Sequence, residues 1–211
     1  MLTVKYILLL VSLTIGIFFY FKKNKSLTIK ILCSAIVFIY ALLGVFGISD
    51  YSTLRFLLII GLLFCLIGDL AITFSLAVGM AVFAVAHICF ISGFLTTGFF
   101  SPTIVPLIVF LILITAVLSI TFKLHLAKKE IVPIACIYSA LISFMTALAV
   151  CLPMHYGFRF LILAFGSVFF IISDMLLAII SSGRKYNKMD YVSFSAYYLA
   201  ISLLAQGVNV L

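Results

Sequence analysis

Residues 61–71 read GLLFCLIGDLA and residues 166–176 read GSVFFIISDML. The two stretches align Gly61, Phe64, Ile67 and Asp69 with Gly166, Phe169, Ile172 and Asp174. Each places one carboxylate in an otherwise apolar helix. An acid at the centre of a membrane helix costs roughly 2.5 to 3.5 kcal/mol, so two cost about 5 to 7 kcal/mol unless they find partners or water. Such a cost points to a functional use of both.

The surrounding chain supports a membrane setting. Of its 211 residues, 67% are hydrophobic and 9% charged, and the mean hydropathy is +1.46. Soluble domains carry about a quarter charged residues, so a water-soluble globular fold is excluded. The apolar runs are close to the ~20 residues that cross a ~30 Å hydrocarbon slab, and they lack the alternation of barrel strands. The expected fold is all-α, a polytopic membrane helix bundle forming a single domain over residues 1–211. Charges and Pro/Gly-rich turns divide it into eight transmembrane helices, about 3–21, 28–47, 54–73, 79–97, 103–122, 131–151, 158–181 and 191–211. The division between the third and fourth rests on Phe74 to Val78, which carry no charge. The first span has only Lys5 before it and runs into Lys22, Lys23 and Lys25 without a small-residue cleavage pattern, so it reads as a retained helix.

A net charge of +8 would suggest nucleic acid in a soluble protein; here it has a topological meaning and implies no nucleic-acid partner. Lys22, Lys23, Lys25, Lys30, Lys123, Lys128, Lys129, Arg184, Lys185 and Lys188 fall on connections of one parity, against Lys5, Arg55 and Arg159 on the other. This bias places the first set in the cytoplasm and both termini outside. The five cysteines, Cys33, Cys65, Cys89, Cys136 and Cys151, lie in or at the ends of apolar helices without a CxxC pair and read as small buried hydrophobes.

Depth along each span sorts the polar groups. The first two helices read as scaffold, with Thr14, Ser34 and Tyr40 bonding locally to backbone. Asp69 lies close to the cytoplasmic end of the third, where the bland alternative is an interfacial acid or a cap for the fourth helix. Gly68 beside it permits close approach of a neighbour. His87 sits roughly 12 Å into the fourth helix and is expected near Asp69 across a short turn. Tyr138 lies about 10 Å inside the sixth, and Ser173 and Asp174 roughly 10 to 14 Å from the cytoplasmic end of the seventh. Tyr197 and Tyr198 of the eighth point about 100° apart, so one of them is expected to line a site. His125, His155 and Arg159 read as interfacial. The convergence of Asp69, His87, Tyr138, Asp174 and one tyrosine predicts a polar cavity opening towards the inner leaflet. The spacing of the two Asp stretches recurs in Lys23 with Lys128 and Tyr51 with Tyr156, which suggests two parallel four-helix repeats about an axis along the membrane normal.

GDLAITF from Gly68, GMAVFAVAHICFISGF from Gly79, SDMLLA from Ser173 and YYLA from Tyr197 resemble the YhhN family of eight-helix membrane proteins, which includes the animal lysoplasmalogenases. The match spans roughly residues 60 to 200, with Gly68, Asp69, Phe83, His87, Tyr138, Ser173, Asp174, Tyr197 and Tyr198 at positions of the family pattern. The chain departs from it after the tyrosine pair, where Ile201 stands in the place of a frequent glutamine and Gln206 comes more than a turn later. The resemblance implies hydrolysis of the vinyl ether bond of a lysoplasmalogen to a fatty aldehyde and glycerophosphocholine or glycerophosphoethanolamine. The expected setting is a bacterial inner membrane, with the charge bias and the depth of the polar groups turning the site to the cytoplasmic leaflet.

That chemistry suits two buried carboxylates. A vinyl ether is cleaved by protonation at carbon, and water then captures the oxocarbenium ion. One acid must hold its proton while an anion sits beside the cation, as in glycosidase and aspartic-protease sites. Asp174, the deeper residue, is the expected acid and Asp69 the stabilising anion, with the reverse assignment left open. His87 and one of Tyr197 and Tyr198 position the pair or contact the substrate, and Tyr138 and Ser173 are also placed on the substrate side. No cofactor or metal is required, although an Asp/Asp/His cluster could bind zinc. The rival reading is a transporter that relays protons or cations through the same Asp69, Asp174 and His87. It is disfavoured because Pro102, Pro106, Pro133 and Pro153 all lie at or near helix ends, signalling no broken spans. A non-catalytic assembly factor is the third reading, and it would tolerate neutralisation of both acids.

Overall fold

The computed structural model describes residues 2–22, 26–45, 52–98, 105–123, 132–182 and 188–211. Among these it is all-helical, with α1 Leu2–Lys22, α2 Leu27–Val45, α3 Thr53–Ala71, α4 Leu76–Leu95, α5 Val105–Lys123, α6 Val132–Tyr156, α7 Leu161–Ser181 and α8 Met189–Val210. All but α1 are long and apolar enough to cross a membrane, and α1 contributes the shorter apolar stretch Leu9–Lys22. Large apolar side chains such as Phe56, Ile112, Ile137 and Phe165 point outward, where a lipid-facing surface needs them. With the spans this gives an integral membrane protein.

The uncharged link between α3 and α4 is a true turn. α3 ends at Ala71 and α4 begins after Ser75, whose extended backbone breaks the helical run. α6 is the element that differs most from expectation, running to Tyr156 instead of stopping near residue 151. Pro153 therefore lies inside its last turn, where the missing N–H removes only one backbone bond next to a helix end. A short 3-10 turn at Phe158–Phe160 then leads into α7. Pro102, His125, Lys23, Lys128 and Tyr51 lie outside the described residues.

Two helical hairpins, α3–α4 and α7–α8, have the closest packing, and α4 against α6 and α2 against α8 join the halves. Gly61 and Gly166 show why the hairpins are tight. A Cβ on Gly61 would lie 2.2 Å from the Phe90 ring, and one on Gly166 would lie 3.1 Å from Leu204 and 3.2 Å from the Ala200 carbonyl. Phe90, Phe94, Phe170, Leu163 and Leu204 fill the resulting centre.

Adding four to the number of a helix in the first half gives its counterpart in the second. The pairs α1–α2, α2–α3 and α3–α4 reappear as α5–α6, α6–α7 and α7–α8. Each half consists of four helices in the same chain order. The relation is incomplete because α1 and α3 also pack against α8, while α5 and α7 lack comparable contact with α4. α5 is thus the most peripheral span, with Val117 its one core residue among those described.

Candidate functional site

A cavity of about 280 Å³ opens where α1, α3, α5 and α7 finish and α2, α4, α6 and α8 begin. This is the end joined by the basic connections of the sequence. Its walls are mostly apolar, with Phe21, Met80, Phe83, Ile142 and Phe194 among them. Asp69 and Asp174 both line it, one from each half.

Asp69 is 1% exposed and held on three sides. Lys30 Nζ lies 3.0 Å from Oδ1. Tyr197 donates to Oδ2 at 2.8 Å, and the Ser34 hydroxyl donates to the same oxygen. A cation and two hydroxyl donors are the partners a desolvated carboxylate needs, so this residue is neither interfacial nor a cap for α4. The Cβ that Gly68 lacks would lie 2.9 Å from the Phe83 ring, so the close approach beside Asp69 is taken by α4.

Lys30 and Ser34 correct the assignment of the second helix to scaffold. Lys30 stands in the first turn of α2, with its side chain 16% exposed and directed at Asp69, instead of on a connection. Ser34 sits one turn later, which puts both on one face. Tyr40 likewise bonds beyond its own helix, donating to Gln206 Oε1 on α8. Gln206 is accordingly a helix-packing group in this chain, away from the cavity.

Asp174 has a different setting. It is partly buried, and the Tyr138 hydroxyl of α6 is hydrogen-bonded to its Oδ2. Lys30 is bound to Asp69, and the structure gives Asp174 no ion pair among the described residues. His87 Nε2 lies 3.1 Å from the Tyr138 hydroxyl. The expected neighbour of His87 was Asp69; it is Tyr138, because this face of α4 packs against α6. His87 is 0% exposed and stands behind Tyr138, off the cavity wall, where it meets a wall residue. Tyr138 separates the imidazole from Asp174, and among the described residues no three His, Cys, Asp or Glu side chains form a metal-binding group.

Of the tyrosine pair, Tyr197 lines the cavity and touches Asp69, with its ring edge-on to Phe83 and Phe170. Tyr198 is turned away and reaches the Lys30 carbonyl at 2.8 Å and Ser34 Oγ at 3.0 Å, supporting the partners of Asp69. Ser173 lies on the wall, but its hydroxyl donates to the Ser193 carbonyl at 3.0 Å. Ser193 returns the bond to the Ser173 carbonyl at 3.1 Å, so the pair clamps α7 to α8. The five cysteines are all free thiols.

The arrangement can present one paired anion and one carboxyl without a cation to the same small volume, under a largely apolar wall. No curated protein and no solved structure matches the chain. The model of the YhhN family does match, over residues 3–208, and the chain belongs to that family.

Proposed function

We propose that this protein hydrolyses the vinyl ether bond of lysoplasmalogens, releasing a fatty aldehyde and a glycerophospho-choline or -ethanolamine. Membership of a family whose known members include lysoplasmalogenases supports the reading. The observation that carries it is the unequal pair of carboxylates on one cavity: Asp69 is ion-paired to Lys30, whereas Asp174 is bonded to a neutral tyrosine.

In this mechanism Asp174, the member without a cation, transfers its proton to the vinyl carbon remote from the ether oxygen. The electron pair of the double bond forms the new C–H bond, and the ether oxygen stabilises the adjacent cation. Asp69 lies across from that cation as a fixed anion, which is stabilisation by a preorganised charge. Water adds to the oxocarbenium carbon and gives up a proton, which restores Asp174. The hemiacetal then collapses to aldehyde and alcohol, so one water is consumed and no redox partner is needed. The apolar wall carries the start of the alkenyl chain, and Lys30, with donors beyond its bond to Asp69, meets the phosphate.

The test is aldehyde release by the purified protein in detergent from a vinyl ether lysolipid, its saturated-ether analogue and its ester analogue. Release from the vinyl ether alone is expected, since only that bond yields a stabilised cation on carbon protonation. Release of fatty acid from the ester, or no product from any of the three, would overturn the assignment and move proton-coupled transport in vesicles to the front.

A further inference from the structure

The chain His87–Tyr138–Asp174 has a direction, and the direction is set at its buried end. A tyrosine hydroxyl has one proton to donate, and a neutral imidazole has one N–H and one lone pair. Two polarities are therefore open. In one, His87 Nε2–H donates to Tyr138 and Tyr138 donates to Asp174 Oδ2. In the other, a protonated Asp174 donates to Tyr138, Tyr138 donates to Nε2, and the histidine proton sits on Nδ1.

His87 Nδ1 distinguishes them, because it is buried without a hydrogen-bond partner among the described residues. Among buried backbone groups orphaned N–H donors are rarer than under-satisfied acceptors, and a buried ring N–H meets the same lack of an acceptor. The first polarity leaves only a lone pair unmatched there, and the second leaves an N–H. The imidazole is also fully buried, packed edge-on to Phe170 with 4.9 Å between ring centroids, so no bulk water reaches Nδ1.

From this we infer that His87 is a positioning residue whose fixed tautomer keeps the proton of Asp174 out of the Tyr138 hydrogen bond. With His87 donating, the Tyr138 hydroxyl is committed to Oδ2. Oδ1 is then the carboxyl oxygen that carries the transferable proton towards a ligand in the cavity. In the opposite polarity the proton would lie between Asp174 and Tyr138, facing the wall. The inference deepens the proposed hydrolysis and rests on it for its kinetic consequence, but the tautomer itself does not depend on the substrate.

Two measurements test it on the intact chain. The first is ¹⁵N NMR of a variant carrying His125→Asn and His155→Asn, which leaves His87 as the sole histidine of the three. A neutral ring protonated on Nε2 is expected, with the preference lost in Tyr138→Phe; protonation on Nδ1 would overturn the inference whatever the protein acts on. The second is aldehyde release by His87→Phe and His87→Gln. His87→Phe is expected to lose about 10- to 100-fold in kcat with KM within about twofold, and His87→Gln, which keeps an N–H donor, to recover part of it. Unchanged kcat in folded His87→Phe, or an effect confined to KM, would contradict the positioning role. Absence of aldehyde from the wild type, with Nε2 protonated, would count against the hydrolase reading and leave the tautomer standing.

Discussion

Lys30 is the side chain on which the charge of Asp69 depends. Its ammonium is the cation bound to a carboxylate that water barely reaches. Removing one partner of a buried pair leaves the other uncompensated, which typically costs about 3 to 5 kcal/mol. Lys30→Met is therefore expected to lower the unfolding temperature in detergent markedly, and Lys30→Met with Asp69→Asn to recover a large part of that loss. Equal losses in the single and double variants would show that the two charges are not coupled. Asp69 and Asp174 were legible in the sequence because an acid in an apolar helix is conspicuous. Lys30 was not, since it ends a cationic run beginning at Lys22 and looks like one more loop charge. Ser34 was hidden for the opposite reason, as a serine in an apolar helix usually bonds its own backbone. Here the Lys30 carbonyl lies 3.2 Å from its Oγ, but the proton goes to Asp69.

At the scale of elements, α7 and α8 are joined by the reciprocal bonds of Ser173 and Ser193 and by the close approach at Gly166. Interhelical hydrogen bonds in membranes average about 0.6 kcal/mol, so the clamp orients more than it stabilises. Ser173→Ala is expected to lower the unfolding temperature slightly and to leave KM for the vinyl ether lipid within about twofold. A large rise in KM at unchanged stability would return Ser173 to the substrate side. Sequence depth set Ser173 beside Asp174, but depth does not say which neighbour a hydroxyl meets. His87 shows the same limit. Chain proximity pointed to Asp69 across the short α3–α4 turn, while the packing of α4 against α6 gave it to Tyr138. Helix existence was readable from apolar runs alone, whereas the five extra residues of α6 beyond Cys151 were not, because a proline near the end usually signals a stop.

At the scale of the molecule, two halves of similar wiring surround their acids with different partners. Equivalent helices α3 and α7 each deliver one Asp, and equivalent helices α2 and α6 each supply its hydroxyl partner, Ser34 in one half and Tyr138 in the other. Among the described residues only the first half adds a cation, Lys30. The repeated Asp stretches made the likeness of the two halves visible in the sequence; the asymmetry was not visible, because it arises from which residue of each second helix faces the shared cavity. That asymmetry is what would divide the labour between an acid and an anion. The decisive measurement is aldehyde release in D₂O, with rapid reduction of the product, by wild type, Asp69→Asn and Asp174→Asn. The account predicts one deuterium on the carbon next to the former aldehyde carbon in the wild type, and a rate lowered about 10²- to 10⁴-fold in each folded variant. Aldehyde formed at the wild-type rate by either variant, or product without that deuterium, would contradict it.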